Sequence, residues 1–266
     1  SPLLDQGFFQ QHSAWIKFSC MPFTEYQVHE GDVPVGVLTL SDGKMNSFNF
    51  DALREVNAVL DEAEKDKTRA IVIAGTDKAL SAGFDLKIMG PVLGKPGSKQ
   101  DAIDLVEQGG KLMVRVFAFP KPVIVAATGH SLALGAILLL AGDVRLGQKG
   151  SKSKVGLNET AIGMQLPAFG WRLAQYRLAT RECTKAITQA TVYDIAAALN
   201  VGFLDQLVDG DLLAGALAEA KRLGGYVKQP AFANTKREER GSVVAAILSN
   251  LKEDVNACFP DRPSKL

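Results

Sequence analysis

The stretch Lys121 to Asp143, KPVIVAATGHSLALGAILLLAGD, sets the tightest limit on the fold. Val123 to Ala127 is a five-residue apolar run that reads as a buried strand, and it passes through Gly129 into a small, apolar helix. Free backbone N–H groups at such a helix start, together with the positive end of the helix dipole, make a pocket for negative charge out of main chain. A second strand and loop upstream, Ala70 to Asp85 (AIVIAGTDKALSAGFD), ends in a small-residue turn able to bring another N–H to the same point. Two such donors would form an oxyanion hole. The bland alternative is a plain βα unit in an α/β core.

The rest of the chain supports that core. Val33 to Leu40 (VPVGVLTL) reads as a strand closed by Ser41-Asp42-Gly43. The loop Lys44 to Asn46 leads to a helix over Phe50 to Lys65, with Leu53, Val56, Val59, Leu60 and Ala63 on one face. Ala70 to Ala74 is the next buried strand, Gly90 to Gly97 a loop, and Asp101 to Phe119 a helix ending at Pro120 and Pro122. The order β, α, β, α, β, α predicts an α/β fold with parallel pairing. Beyond it, Val144 to Gly147 reads as a strand, Gln148 to Lys154 as a polar loop, and Val155-Gly156 as a return to the core. Trp171 to Leu178 and Thr184 to Leu199 are predicted helices, and Gly202 to Val208 a strand. From Leu212 to Phe259 the chain is helix-rich, so the expected division is a core over 21–209 and a helical region over 210–266. The apolar residues Val243, Val244, Ile247, Leu248 and Leu251 are expected to pack on the core or on a second subunit.

Composition excludes some functions. A formal net charge of +1, from 30 basic and 29 acidic residues, gives no global field for nucleic acid or an anionic membrane. No apolar run approaches the ~18 residues a membrane-spanning helix needs, so no membrane insertion is expected. Cys20, Cys183 and Cys258 are odd in number and widely spaced, which fits a reducing compartment and offers no metal cluster. Ser1 to Cys20 is read as a leader or added extension outside a fold starting near Met21, with a native extension as the alternative. Ser264-Lys265-Leu266 spells a peroxisomal address, implying an import receptor in a eukaryotic source and a cytoplasmic protein in a bacterial one.

Gly129-His130-Ser131-Leu132-Ala133 looks like the start of a nucleophile elbow, but that arrangement needs a histidine after the serine. The chain has only His12, His29 and His130, so no such triad assembles. Ser131 is therefore expected as a small residue in the helix's first turn, and His130 as a loop residue that could touch substrate. GxGxxG, Walker, HExxH and CxxC patterns are absent, leaving no support for a nucleotide cofactor or a metal.

Several of these segments together resemble the crotonase (enoyl-CoA hydratase/isomerase) superfamily. Leu80 to Met89, LSAGFDLKIM, is similar to its A-F-S-A-G-x-D-L loop, with Leu80 where Phe is usual. Lys121 to Asp143 resembles its K-P-V-I-A-A-x-x-G-x-x-x-G-G-G segment, and Val155 to Pro167 its second catalytic segment. The resemblance implies a spiral of ββα repeats with a C-terminal helical trimerisation region, trimers or pairs of trimers, and an acyl-CoA thioester substrate, with coenzyme A arriving as part of the substrate and no separate cofactor. It implies oxyanion donors at the backbone N–H groups of Phe84 and Leu134, although the family's G-G-G is here Ala133-Leu134-Gly135. Ala82, Asp85, Leu86, His130 and Ile137 would line the substrate, and Lys44 could meet a CoA phosphate.

Hydratases of the superfamily hold water between two glutamates. The first position is Ile137 here; the second is Glu159, in Gly156-Leu157-Asn158-Glu159-Thr160. One carboxylate can carry a proton between carbons but cannot polarise water from two sides, and both features resemble Δ3,Δ2-enoyl-CoA isomerases. The expected activity is therefore conversion of 3-enoyl-CoA to 2-enoyl-CoA in fatty-acid β-oxidation. The rivals are a hydratase, a hydrolase using His130 or Asp143, and a non-catalytic acyl-CoA-binding or RNA-associated protein.

Overall fold

The computed structural model describes residues 22–260. The expected leader, Met21 and the C-terminal Ser264-Lys265-Leu266 lie outside the described residues. The chain opens with a hairpin of β1 (Thr24–His29) and β2 (Val35–Leu40), followed by α1 (Phe50–Lys65), which Asn49 caps by accepting the Ala52 N–H at 2.8 Å. Three repeats follow. The first is β3 (Ala70–Ala74), β4 (Ala79–Ser81) and α2 (Lys99–Phe117); the second is β5 (Val123–Ala127), β6 (His130–Leu132) and α3 (Leu134–Ala141). The third is β7 (Val144–Gln148) and β8 (Lys154–Gly156), after which a 3₁₀ turn over Thr160–Ile162 leads to α4 (Ala168–Arg177).

Each repeat gives its first strand to one sheet and its second to another. The six-stranded sheet runs β1-β2-β3-β5-β7-β10 with β10 at Gln206–Val208, and every pairing after the opening hairpin is parallel. In the four-stranded sheet β4, β6 and β8 are parallel neighbours, with β9 (Tyr193–Asp194) antiparallel at the edge. This is the spiral of ββα turns that the resemblance implied.

The apolar runs are explained by the two faces of the larger sheet. Alternate side chains Ile71, Ile73, Val123, Val125 and Ala127 join the main core with α1 and α2. Their neighbours Ala70, Val72, Ala74, Ile124 and Ala126 join a second core with Leu212, Ala216 and Ala220 of a later helix, Leu212–Tyr226. A strand covered on both sides has no need of polar alternation.

Two predicted elements are corrected. The helix expected from Gly129 begins five residues later, because residues 130–132 pair with β4 and β8 instead. Ser131 is thus a fully buried strand residue and His130 begins the strand, not a loop. The single helix expected over Thr184 to Leu199 is broken into α5 (Cys183–Ile187) and α6 (Ile195–Val201). Between them Ala190 takes a positive φ of 50°, and Tyr193 pairs with Val155 to finish the smaller sheet.

The C-terminal region comprises α7 (Leu212–Tyr226), α8 (Ala231–Leu248) and α9 (Leu251–Ala257). Ile247 and Leu251 are buried, Val243 and Val244 pack on the core, and Leu248 is left 47% exposed. A buried ion cluster fastens α8: Lys236 donates to Asp143 at 2.7 Å, and Arg240 reaches the other Asp143 oxygen at 2.7 Å and the Phe117 carbonyl at 2.6 Å. No described helix is long and apolar enough to cross a membrane.

Candidate active site

Because β4, β6 and β8 lie side by side and parallel, the chain leaves all three at the same edge of the smaller sheet. Residues 82–84, 133–134 and 157–159 are those exits, and the crevice beyond the carboxyl ends of parallel strands is where such sheets hold ligands. Phe84 and Leu134 therefore follow neighbouring strands, with Glu159 on the next.

Close packing brings the two amides' turns together. Gly83 has φ of 103°, and a Cβ placed there would sit 2.8 Å from the Ala133 Cβ and 3.5 Å from the Leu134 nitrogen. Only glycine meets both demands. Gly135 is equally constrained, since a Cβ there would collide with the Ser81 carbonyl oxygen. Ala133 carries φ of 50° and ψ of −123°, a conformation that costs a residue with a Cβ about 1–3 kcal/mol. That turn sets Leu134 at the first position of α3, where its N–H has no helical acceptor. The N–H of Phe84 is flanked by bonded neighbours, since Phe48 donates to the Gly83 carbonyl and Asp85 donates to the Phe48 carbonyl. Among the described residues neither the Phe84 nor the Leu134 N–H has a protein acceptor. Their side chains pack into the core: the Phe84 ring and the Leu134 methyl both approach Gly109 of α2.

Glu159 sits at the start of the 3₁₀ turn, its carbonyl accepting the N–H groups of Ile162 (3.1 Å) and Met164 (2.9 Å). The residue is 5% exposed, and its Oε2 is buried without a hydrogen-bond partner. Burial pushes its pKa up to about 7, opposed only by a hydrogen bond from its own backbone N–H. No neighbouring charge contributes to the shift. The carboxyl is a lone acid, desolvated and poised near neutrality.

The other predicted residues divide. Ile137 is 1% exposed and packs its Cδ1 over Gly170 beside Leu166; it is the position that the resemblance gives to a hydratase's first glutamate. Ala82 and Asp85 lie in the Phe84 turn; the Ala82 N–H donates to the Met45 carbonyl, and Asp85 accepts the Lys87 N–H. Leu86 is 55% exposed just beyond, and Lys44 is exposed in the loop before α1. His130 is set apart at the opposite end of β6, about 10 Å along the strand from Ala133. Its Nδ1 accepts the Lys154 N–H at 3.1 Å. Asp143 follows α3 and is taken up by Lys236 and Arg240.

Two asparagines escaped the sequence reading as individual residues. Asn158 has a buried side-chain oxygen without a partner beside Glu159, and Asn46 is completely buried in the loop before α1. The polar residues Asp42, Lys44, Asn46, Ser47 and Asn49 in the loop between a strand and a helix were the available signal for the second. A cavity of about 320 Å³ is lined in part by Pro91, Gly163, Gln165, Cys258 and Phe259; Glu159 is not among its lining residues. Among the described residues, no group of three or more His, Cys, Asp or Glu is placed to hold a metal.

Residues 30–231 match the enoyl-CoA hydratase/isomerase family. The chain belongs to that family. Within it, a probable enoyl-CoA hydratase of Bacillus subtilis is 34% identical over 145 residues, 53% of this chain and 54% of the relative. Mitochondrial enoyl-CoA delta isomerase 1 of mouse is 29% identical over 185 residues, 68% of this chain and 62% of the relative. The chain thus spans less than two thirds of the length of either curated relative. A solved enoyl-CoA hydratase/isomerase family protein from Pseudomonas syringae superimposes with a TM-score of 0.80 at 35% identity, covering 88% of this chain and 97% of that one. Relatives in this enoyl-CoA hydratase/isomerase family carry both activities in their names, so the choice between them falls to the residues of the site.

Proposed function

We propose that the protein is a Δ3,Δ2-enoyl-CoA isomerase in which one glutamate moves a proton from C2 to C4. The observation that carries this reading is the solitary burial of Glu159: its raised pKa has no charged contributor, and the position the family resemblance assigns to a hydratase's other acid is the buried Ile137.

In this reaction Glu159 takes the C2 proton of a 3-enoyl-CoA, which the thioester and the adjacent double bond make acidic. The C2–H electron pair becomes the second, π bond between C1 and C2 of a dienolate, and the carbonyl π pair moves onto the thioester oxygen as negative charge. The N–H groups of Phe84 and Leu134 hold that oxygen, each worth on the order of 3 kcal/mol by analogy with other oxyanion donors. Glu159 then delivers the proton to C4, the double bond settles between C2 and C3, and the carboxylate is regenerated. A pKa near 7 suits both halves, because the same group must accept and return the proton. Ile137 keeps apolar bulk where a hydratase needs its second acid. Ala82, Asp85 and Leu86 would border the thioester, and Lys44 would meet a CoA phosphate. The placement of His130 and Asp143 gives the hydrolase reading no support. A homotrimer or a pair of trimers, and peroxisomal residence in a eukaryotic source, belong to the same proposal.

Glu159→Gln keeps the shape and removes the base. It is expected to lower kcat on 3-enoyl-CoA on the order of 10³-fold while leaving CoA-thioester affinity intact, measured by product mass and by binding calorimetry. Full turnover by that variant refutes the assignment. Efficient addition of water to 2-enoyl-CoA by the unaltered protein would favour a hydratase.

A further inference from the structure

The loop between β2 and α1 supplies no group to the proton transfer above, yet its hydrogen bonds converge on the turn that carries Phe84. Asn46 is fully buried and adopts φ of 54°, a conformation asparagine tolerates better than most residues. Its Nδ2 shares two protons among three carbonyls: Leu40 at the end of β2 (3.0 Å), and Ala79 (2.7 Å) and Leu80 (3.3 Å) of β4. Its Oδ1 accepts the Asp42 N–H at 3.0 Å. The Asp42 carboxylate in turn accepts the N–H groups of Lys44 (2.7 Å), Asn46 (2.9 Å) and Ser47 (3.0 Å). Burial alone would raise that carboxyl, but those N–H groups outweigh it and hold the pKa below the usual range.

The residues on either side of Asn46 grip the Phe84 turn. The Met45 carbonyl accepts the Ala82 N–H at 2.9 Å, Phe48 donates to the Gly83 carbonyl at 2.8 Å, and Asp85 donates to the Phe48 carbonyl at 2.9 Å. The main chain is therefore clamped before and after Phe84 while the Phe84 N–H is passed over. A clamp of this form fixes the direction of the one amide it leaves free.

We propose that Asn46 is a positioning residue for the Phe84 amide, bridging β2 to β4 so that the 42–48 loop holds the 82–85 turn in its donating orientation. The proposal rests on the reading that this N–H receives a substrate oxyanion. A donor misplaced by about 1 Å can cost on the order of 100-fold in rate, so the effect is large enough to measure.

The test is Asn46→Gly in the full chain, which accepts the positive φ without strain and removes the bridge. Expected is a fall of roughly 10- to 100-fold in kcat per folded enzyme with KM within about twofold, and an unchanged midpoint for the Glu159 limb of the pH profile. A binding readout separates this idea from the proton-transfer assignment. A bound 3-oxoacyl-CoA forms an enolate with a near-ultraviolet band, and the variant should lower the bound enolate fraction whether or not Glu159 is the base. Glu159→Gln assayed in parallel reports on that base alone. Wild-type kcat and enolate fraction in Asn46→Gly, or a loss confined to KM, overturns the positioning role. Should Asn46→Gly not fold, Asp42→Asn decides by the same two readouts, since it weakens the loop and leaves the Asn46 side chain in place. A fall in kcat and enolate fraction then supports the proposal, and no change in either overturns it.

Discussion

Asp143 and Glu159 are both enclosed carboxylates, on chain segments that leave opposite ends of consecutive repeats. At Asp143 both oxygens are occupied, by Lys236, by Arg240 and by the N–H of Val123 at 2.7 Å. At Glu159 one oxygen is buried without a hydrogen-bond partner among the described residues. The first arrangement spends its charge on joining α8 to the core; the second leaves its charge unspent. Burial of a lone carboxylate works against folding, which supports the proton-transfer role proposed for Glu159, whereas the satisfied Asp143 cluster ties α8 to the core.

The largest expected effect breaks the architectural half of this contrast. Asp143→Ala leaves Lys236 and Arg240 buried without their anion, and chemical denaturation should show a loss of about 3–5 kcal/mol. A loss below 1 kcal/mol would mean that the cluster is not what fastens α8.

The next sharpens the functional half through pH. Glu159 has its pKa raised to about 7 in the folded state against the ordinary 4.5 of a glutamate, so its ionisation favours the unfolded chain. The wild-type protein therefore has its full contribution from this group below about pH 4.5 and loses it as the pH rises through 7. A shift of that size corresponds to roughly 3 kcal/mol. Glu159→Gln cannot ionise, so its stability advantage should be absent near pH 4.5, grow as the pH rises, and level off above 7. Parallel denaturation curves for the two proteins at a series of pH values measure it, and a constant difference would mean the carboxyl is not desolvated.

The smallest effect concerns the strained turn between the two regions. Ala133→Gly relieves the φ of 50° before Leu134 and should raise stability by about 1 kcal/mol in thermal unfolding. A decrease would show that the Ala133 methyl contributes more through packing than its backbone costs.

The same contrast explains what was legible beforehand. Val123 to Ala127 and Ala70 to Ala74 could be read from sequence because a strand buried on both faces leaves an unbroken apolar run, and Phe50 to Lys65 because an amphipathic face repeats over four turns. Ala79–Ser81, His130–Leu132 and Lys154–Gly156 are three residues each, too short to carry a period, and the sheet they form exists only through pairing between repeats. Ser131 was misassigned for that reason. The small-residue turn near Asp85 and the helix start after Gly129 were legible as places of close backbone approach, while the resemblance alone named Phe84 and Leu134 as the donors there. The isolation of Glu159 was not a local property of its neighbours in sequence; only the resemblance singled it out, and only the fold supplies its burial. Asn46 stayed hidden because its three carbonyl partners are 6, 33 and 34 residues away.

One consequence follows from the three strand exits standing in a row. In the proposed mechanism two of the three working groups are peptide amides, which ordinary side-chain exchange cannot delete; only proline would erase one. On the proposed mechanism, exchanges at residues 137 and 159 would change the proton chemistry, while the hold of the two amides on a thioester oxygen would pass on with the path of the backbone.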